Sequence, residues 1–260
     1  MLNRNDTATR AKVARKFRLP GRQNACRCKA AVPRFRAVET LAYLLIALAA
    51  YLVGSVPTGY LAGRARGLDI RKVGSGNIGA TNVLRVLGKP VGIAVLLADV
   101  FKGFLAVVAT VNFFPEVQSS FPAVFGSTSD PALRERLALV AAVSVVIGHN
   151  YTCWLGFKGG KGIATSAGAF LALAPAATGI AVGVWVVVFL ATRYVSVASI
   201  AAAAALPVGA WLLPHSLGVR VLATVLGALA IWKHRANIQR LRAGTEHRFG
   251  RKPVAEGAAK

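Results

Sequence analysis

Six stretches of this chain are apolar over nearly the whole length needed to cross a lipid bilayer: Leu41 to Ala62, Val91 to Phe114, Leu137 to Leu155, Ile163 to Ala191, Val195 to Leu213 and Val219 to Trp232. A helix of about 20 apolar residues spans the hydrocarbon core. Helices of a soluble core carry a polar stripe that repeats about every 3.6 residues, and Leu41 to Tyr51 has none. With 55% of its 260 residues hydrophobic and 16% charged, the chain lacks the polar surface to dress so many helices in water. A soluble helical domain is excluded. The fold class is an all-α polytopic membrane protein.

Charge sets the topology. The net charge of +23 comes from 32 Lys and Arg against 9 Asp and Glu, and in a water-soluble protein it would point first to nucleic acid. Here the basic residues gather before Ala37, between Gly63 and Lys89, between Phe157 and Gly162, and from Lys233 onward, and basic flanks mark the cytoplasmic side of a membrane helix. Few aromatic residues interleave with them to stack bases, so no nucleic-acid partner is expected. Membrane lipids are. The segment Pro115 to Glu135, with Glu116, Asp130 and Glu135 beside Arg134 and Arg136, is the best outside loop. The block Ile163 to Ala191 is too long for one upright span and is interrupted by Pro175, so it reads as two segments. About seven transmembrane helices result, some short or broken, with the motif loops inside. This count puts the amino terminus outside, where its eleven Lys and Arg residues are unwelcome.

Residues 1–36 form a basic tail with no apolar run, which excludes a secretory signal peptide and predicts disorder. Residues 37–250 form the membrane domain and 251–260 a flexible tail. Cys26, Cys28 and Cys153 offer neither a disulfide framework nor zinc-ligand spacing.

Three polar patches fall on the inside. The first, Val73 to Arg85, places Gly74, Gly76 and Gly79 where free backbone N–H groups suit an anion, with Ser75, Asn77, Thr81 and Asn82 as neutral donors and Arg85 as a charged fork for phosphate oxygens. The second is Gly148-His149-Asn150 followed by Phe157-Lys158-Gly159-Gly160-Lys161-Gly162. Its spacing is not that of a P-loop and no Ser or Thr follows Lys161, so no nucleotide is indicated. The third runs from Ile231 to Leu241 and on to Gly244, Thr245 and Glu246. If the last membrane helix continues through it, His234, Asn237 and Leu241 share a face. Within a span, Asp99 and Lys102 stand three residues apart and read as a structural ion pair.

Together the patches resemble the membrane acyl-phosphate:glycerol-3-phosphate acyltransferases of bacteria. The likeness rests on Gly54-Ser55-Val56-Pro57-Thr58-Gly59-Tyr60, on Gly74 to Asn82 with Arg85, on Gly148-His149-Asn150 with Phe157 to Gly162, and on His234 to Glu246, in order from about Leu41 to about Phe249. Members commonly carry a proline near Thr152, which this chain lacks. The resemblance implies a cell (inner) membrane enzyme with its active site facing the cytoplasm. It would transfer an acyl group from acyl phosphate to the 1-hydroxyl of glycerol 3-phosphate, giving lysophosphatidic acid for phospholipid synthesis. It implies catalytic roles for Ser75, His234 and Asn237. Substrate binding would fall to Ser75, Gly76, Asn77, Thr81, Asn82, Arg85, Gly159, Gly160, Lys161 and Glu246, the last either as a ligand or as a salt-bridged anchor of the third patch.

No enzyme nucleophile stands out in the sequence, so direct attack by the substrate hydroxyl is expected, with His234 or the donor's own phosphate as base. Of the nine acidic residues only Glu246 lies in the three patches, which leaves no carboxylate cluster for magnesium; neither metal nor cofactor is expected. The alternative reading is a membrane transporter of a phosphorylated solute, since broken helices and ionisable residues within the membrane are transporter features.

Overall fold

The computed structural model describes residues 31–120 and 130–250. Among them every regular element is helical: α1 Ala31–Ser55, α2 Thr58–Arg64, α3 Ala80–Leu87, α4 Lys89–Ser120, α5 Pro131–Asn150, α6 Ile163–Leu173, α7 Pro175–Thr192, α8 Val195–Leu212, α9 Leu217–Lys233 and α10 Arg235–Arg242, with short 3-10 turns at Ile70–Lys72 and Cys153–Leu155. Five runs are long and apolar enough to cross a bilayer: Glu39–Arg64, Lys89–Ser120, Pro131–Leu155, Pro175–Thr192 and Val195–Leu212. α9 with α10 makes a sixth, bent by 49°. The remaining apolar segment is α6, whose 11 residues rise only about 16 Å, roughly half the hydrocarbon thickness. The break foreseen at Pro175 is present: the ring opens α7, where its missing N–H costs no helical bond.

Large apolar side chains face outward all along these runs. Leu44 is 63% exposed, Val187 67% and Leu190 70%, which water would not tolerate over so many helices and lipid favours. The interior is built from small residues instead. α1 lies on α5 and α4 on α6 at close range, through glycines used in pairs. A Cβ at Gly103 of α4 would meet the Thr165 carbonyl oxygen, and one at Gly168 of α6 would meet that of Val100; Gly54 and Gly148 do the same between α1 and α5, against Val145 and Tyr51. Lipid tails are as apolar as leucine, so helices in a bilayer gain their association from such close packing.

One buried polar cluster ties the bundle together at the α1–α2 break. Pro57 interrupts the helix, and the Val56 carbonyl accepts both the Thr58 N–H at 3.0 Å and Lys102 Nζ at 3.1 Å. Asp99 Oδ1 accepts from Lys102 Nζ at 2.7 Å and from the Thr58 hydroxyl at 2.7 Å, and His149 Nδ1 lies 3.6 Å away. The ion pair read from the sequence is real, and both its charges are spent on holding α4 to the broken segment.

Some boundaries differ from expectation. α1 is already helical at Ala31, ahead of the boundary placed at residue 36; the expectations for 1–30, with Cys26 and Cys28, and for 251–260 lie outside the described residues. The loop expected from Pro115 to Glu135 is shorter. α4 continues through Pro115 to Ser120, and α5 starts at Pro131 with Asp130 Oδ1 accepting the Ala132 N–H at 2.9 Å. Ala42 of α1 packs beside Leu133 and Leu137 at the start of α5, at the end of the bundle away from the three patches.

Candidate active site

The first patch is a loop held in shape by its own polar side chains. Gly74 and Gly76 adopt φ of 62° and 70°, a left-handed backbone that favours glycine. Asn82, buried on α3, turns back into this loop. Its Oδ1 accepts the Ser75 N–H at 2.8 Å, and its Nδ2 donates to the carbonyls of Ile70 and Val73 at 3.2 and 3.1 Å. Asn77 Oδ1 accepts the Gly79 N–H at 2.8 Å just before α3 begins. Asn82, expected as a substrate ligand, therefore spends its amide on the loop's backbone. Ser75 is thereby held just ahead of α3, and Arg85 stands in the last turn of that helix.

The second patch is a turn that rests on the end of α5. Gly159 and Gly160 donate their N–H groups to the Asn150 and His149 carbonyls at 3.2 and 3.0 Å. Gly160 also lies against the His149 ring, where any side chain would collide with Nε2. These two glycines thus seat the turn, and Lys161 projects from it. α9 braces the same corner: Lys233 Nζ donates to the Asn150 carbonyl at 3.2 Å and lies 4.3 Å from the centre of the Tyr151 ring.

The last membrane helix does not continue unbroken through the third patch. The chain bends at His234, where φ and ψ are −91° and 6°, and restarts as α10. The bend has a local cause. His234 Nδ1 donates to the Ala230 carbonyl at 2.7 Å, a side chain capping the end of its own helix, and the His234 carbonyl accepts the Asn237 N–H at 2.8 Å. A ring whose Nδ1 carries the proton keeps its lone pair on Nε2.

Beyond the bend a chain of contacts joins the second patch to the third. Lys161 Nζ donates to Asn237 Oδ1 at 2.5 Å, Asn237 Nδ2 donates to Glu246 Oε1 at 2.8 Å, and Arg240 Nε donates to Glu246 Oε2 at 2.7 Å. Burial pulls the Lys161 ammonium down to about 8, with Glu246 opposing and Arg240 and Arg85 adding to the fall. Burial alone would raise the Glu246 carboxyl, yet hydrogen bonds from Asn237 and Arg240 hold it below the ordinary carboxylate range. Burial also lowers the Arg85 guanidinium. Lys161, Arg85 and Arg240 thus gather around the Glu246 carboxylate.

All three patches open onto one cavity of about 560 Å³. Ser75, Asn77, Thr81, Asn82, Arg85, Lys161, His234, Asn237 and Glu246 line it; Gly76, Gly159 and Gly160 do not, and act through the backbone of their loops. Asp99, His149 and further hydroxyl side chains also reach it, and a long apolar wall comes from Ile93, Leu96 and Leu97 on α4 and Val182, Trp185 and Phe189 on α7. Ile93, Leu96, Leu97 and Val182 are also exposed on the outer surface, so the cavity reaches the lipid-facing side between these two helices. A phosphate-sized cationic pole thus continues into a greasy cleft.

The glycerol-3-phosphate acyltransferase family model matches residues 44–244, which takes in the first two patches and the third as far as Gly244. The chain belongs to the glycerol-3-phosphate acyltransferase family. Among curated glycerol-3-phosphate acyltransferases it is similar to that of Chlorobaculum parvum, at 42% identity over 238 residues, covering 82% of this chain and 99% of the relative. It is likewise similar to that of Synechococcus elongatus, at 44% identity over 215 residues, covering 82% and 97%. Two solved structures align at 38% identity. Both are of PlsY (YgiH), an integral membrane glycerol 3-phosphate acyltransferase. Its glycerol 3-phosphate form gives a TM-score of 0.68 over 80% of this chain and 96% of that one, and its lysophosphatidic acid form 0.66 over 80% and 95%.

Sequence reasoning missed several residues that this acyltransferase turns toward the cavity. Ser166, Ser196, Trp185, Phe189 and His247 all line it. The serines carried a signal, a hydroxyl inside an apolar run; the aromatic pair, stacked at 5.0 Å between ring centres, looked like any other membrane residues.

Proposed function

We propose that this acyltransferase moves an acyl group from an acyl phosphate to the 1-hydroxyl of glycerol 3-phosphate, releasing lysophosphatidic acid and phosphate, from the cytoplasmic face of the inner membrane. One observation carries the reading: the cavity joins a cationic pole of Arg85 and Lys161 to an apolar cleft that reaches the lipid side. A water-soluble phosphate fits the pole, and an acyl chain fits the cleft.

Ser75 and Arg85 hold phosphate oxygens, and Lys161, positioned by Asn237, neutralises their charge. Asn237 serves here as a positioning residue, since both faces of its amide are engaged by Lys161 and Glu246. The substrate hydroxyl attacks the acyl carbonyl carbon directly, and the mixed anhydride breaks with phosphate as leaving group. Its proton passes to His234 Nε2 or to an oxygen of the departing phosphate. The cytoplasmic assignment follows from the basic residues of the site end, Arg64, Arg66, Arg71, Lys72, Arg240 and Arg242 among them.

The test is purified full-length enzyme in detergent with chelator present, offered glycerol 3-phosphate with acyl phosphate, acyl-CoA or acyl carrier protein, and read out as lysophosphatidic acid. Turnover with acyl phosphate is expected. Robust turnover with acyl-CoA alone, or complete loss on chelation, overturns the donor. In sealed vesicles, added glycerol 3-phosphate should be consumed only by inverted ones; labelled glycerol phosphate crossing the membrane without lipid formation would instead favour the transporter.

A further inference from the structure

α6 begins in the cavity without a cap. Its N-cap is Gly162 at φ 82°, which brings no side chain, and the first intrahelical bond runs from the Ser166 N–H to the Gly162 carbonyl at 2.7 Å. The N–H groups of Ile163, Ala164 and Thr165 precede that bond and have no acceptor within the helix. Gly162, Ile163, Ala164 and Ser166 all line the cavity.

Ser166 supplies the second observation. It is 8% exposed, and its hydroxyl finds no hydrogen-bond partner among the described residues. Several hydroxyls on these helices close on the carbonyl four residues earlier, as Thr110 does on Ala106 at 2.8 Å and Thr192 on Val188 at 2.7 Å, whereas those of Thr165 and Ser196 stay open as well. Ser166 leaves that acceptor unused. Side chains on a helix lean toward its amino end, which puts this hydroxyl over the first turn, beside the open N–H groups. A buried hydroxyl and uncapped amides carry a desolvation cost that a ligand oxygen relieves.

The donors also differ in kind from those of the phosphate pole. They are neutral, and they sit directly after Lys161 in the chain. A neutral set of preorganised donors suits an oxygen that gains charge only during reaction. We propose that the first turn of α6, through the N–H groups of Ile163 and Ala164 with the Ser166 hydroxyl, is the oxyanion site that takes the acyl carbonyl oxygen. As the substrate hydroxyl oxygen bonds to the carbonyl carbon, the C=O π pair moves onto this oxygen and is held there. The pair then re-forms C=O while the bond to the phosphate oxygen breaks, phosphate leaving with its electrons. The hydroxyl proton goes to the base named above.

This inference rests on the acyl-transfer reading, and the experiment separates the two. Full-length wild type, Ser166→Ala and Ser166→Thr are compared in detergent for kcat and for KM of both substrates, with hexadecyl phosphate, which has a chain and a phosphate but no carbonyl, as a competitive probe. Ser166→Ala should lose kcat on the order of a hundredfold. Both KM values and inhibition by hexadecyl phosphate should hold, and Ser166→Thr should recover most of the rate. An unchanged kcat, or weakened inhibition by hexadecyl phosphate, overturns the site, the latter making Ser166 a phosphate ligand. So does failure of both Ser166→Ala and the similar-sized Ser166→Cys to fold, which makes the hydroxyl structural. If wild type turns over only with an acyl thioester, the proposed donor fails. The Ser166 comparison is then read with the thioester, which carries the same carbonyl.

Discussion

Glu246→Gln tests the electrostatics of the site, because glutamine keeps an oxygen for Asn237 Nδ2 while removing the charge and the oxygen that accepts from Arg240 Nε. Glu246 reaches Lys161 through one amide, by hydrogen bonds of 2.8 and 2.5 Å, which sets the charges about 7 Å apart. At an effective dielectric constant of about 20 that separation is worth roughly 2 kcal/mol, and about half as much where water reaches the pair. The ammonium of Lys161, near 8 in the wild type, should therefore lose its proton about one pH unit lower in the variant. Only the protonated lysine attracts phosphate, so affinity is lost as pH rises through that value. Plots of kcat/KM for glycerol 3-phosphate against pH report the free enzyme. The wild type should fall away on the alkaline side from near pH 8, and Glu246→Gln should fall from about one unit lower. Lys161→Arg, charged throughout, should flatten that limb. A limb that stays in place in Glu246→Gln, or persists in Lys161→Arg, refutes the assignment of the titrating group to Lys161.

Arg85→Ala should raise KM for glycerol 3-phosphate by about 10- to 100-fold at neutral pH, as a lost charge-assisted contact of about 1.5 to 3 kcal/mol requires, with the melting temperature held; an unchanged KM removes it from the phosphate pole. His234→Ala should reduce kcat on the order of a hundredfold if Nε2 takes the proton, and near-normal turnover across pH would assign that role to the donor phosphate. Lys102→Met leaves the Asp99 carboxylate buried beside Thr58 without its cation, and should cost about 3 to 5 kcal/mol of stability, read as a lower melting temperature in detergent; a melting temperature equal to wild type would show the pair to be dispensable.

Apolar runs were legible because lipid imposes a length and a composition that few other environments ask for. Pro175 was legible as a break for the same reason that it breaks the helix, its missing N–H. The bend at His234 was not. Lys233, His234 and Arg235 fit a helix as well as a turn, and the choice is made by the imidazole capping Ala230, a contact that spacing alone does not reveal. Site residues were legible where their type is costly in a membrane: Arg85, Lys161, His234 and Glu246 share a cavity as the motifs implied. Their division of labour was hidden. Asn82 reads as a substrate ligand and Asn237 as a catalytic residue; in the fold one amide shapes a loop and the other aims a lysine, because an amide's partners depend on which backbone folds against it. Ser166 was passed over since a serine within an apolar run is usually bonded to its own helix, and only the coordinates show that this one is not.

The cleft between α4 and α7 has a consequence for how the enzyme meets anything that carries an acyl chain. Because Ile93, Leu97 and Val182 belong both to the cavity wall and to the lipid-facing surface, such a molecule enters and leaves sideways, within the plane of the bilayer. Its encounter rate then follows its mole fraction in the membrane and its two-dimensional diffusion, while glycerol 3-phosphate arrives at a concentration set by water. The two substrates obey different dilution laws. Adding empty detergent micelles at constant bulk amounts slows the enzyme toward its greasy partner and leaves its affinity for the soluble one where it was.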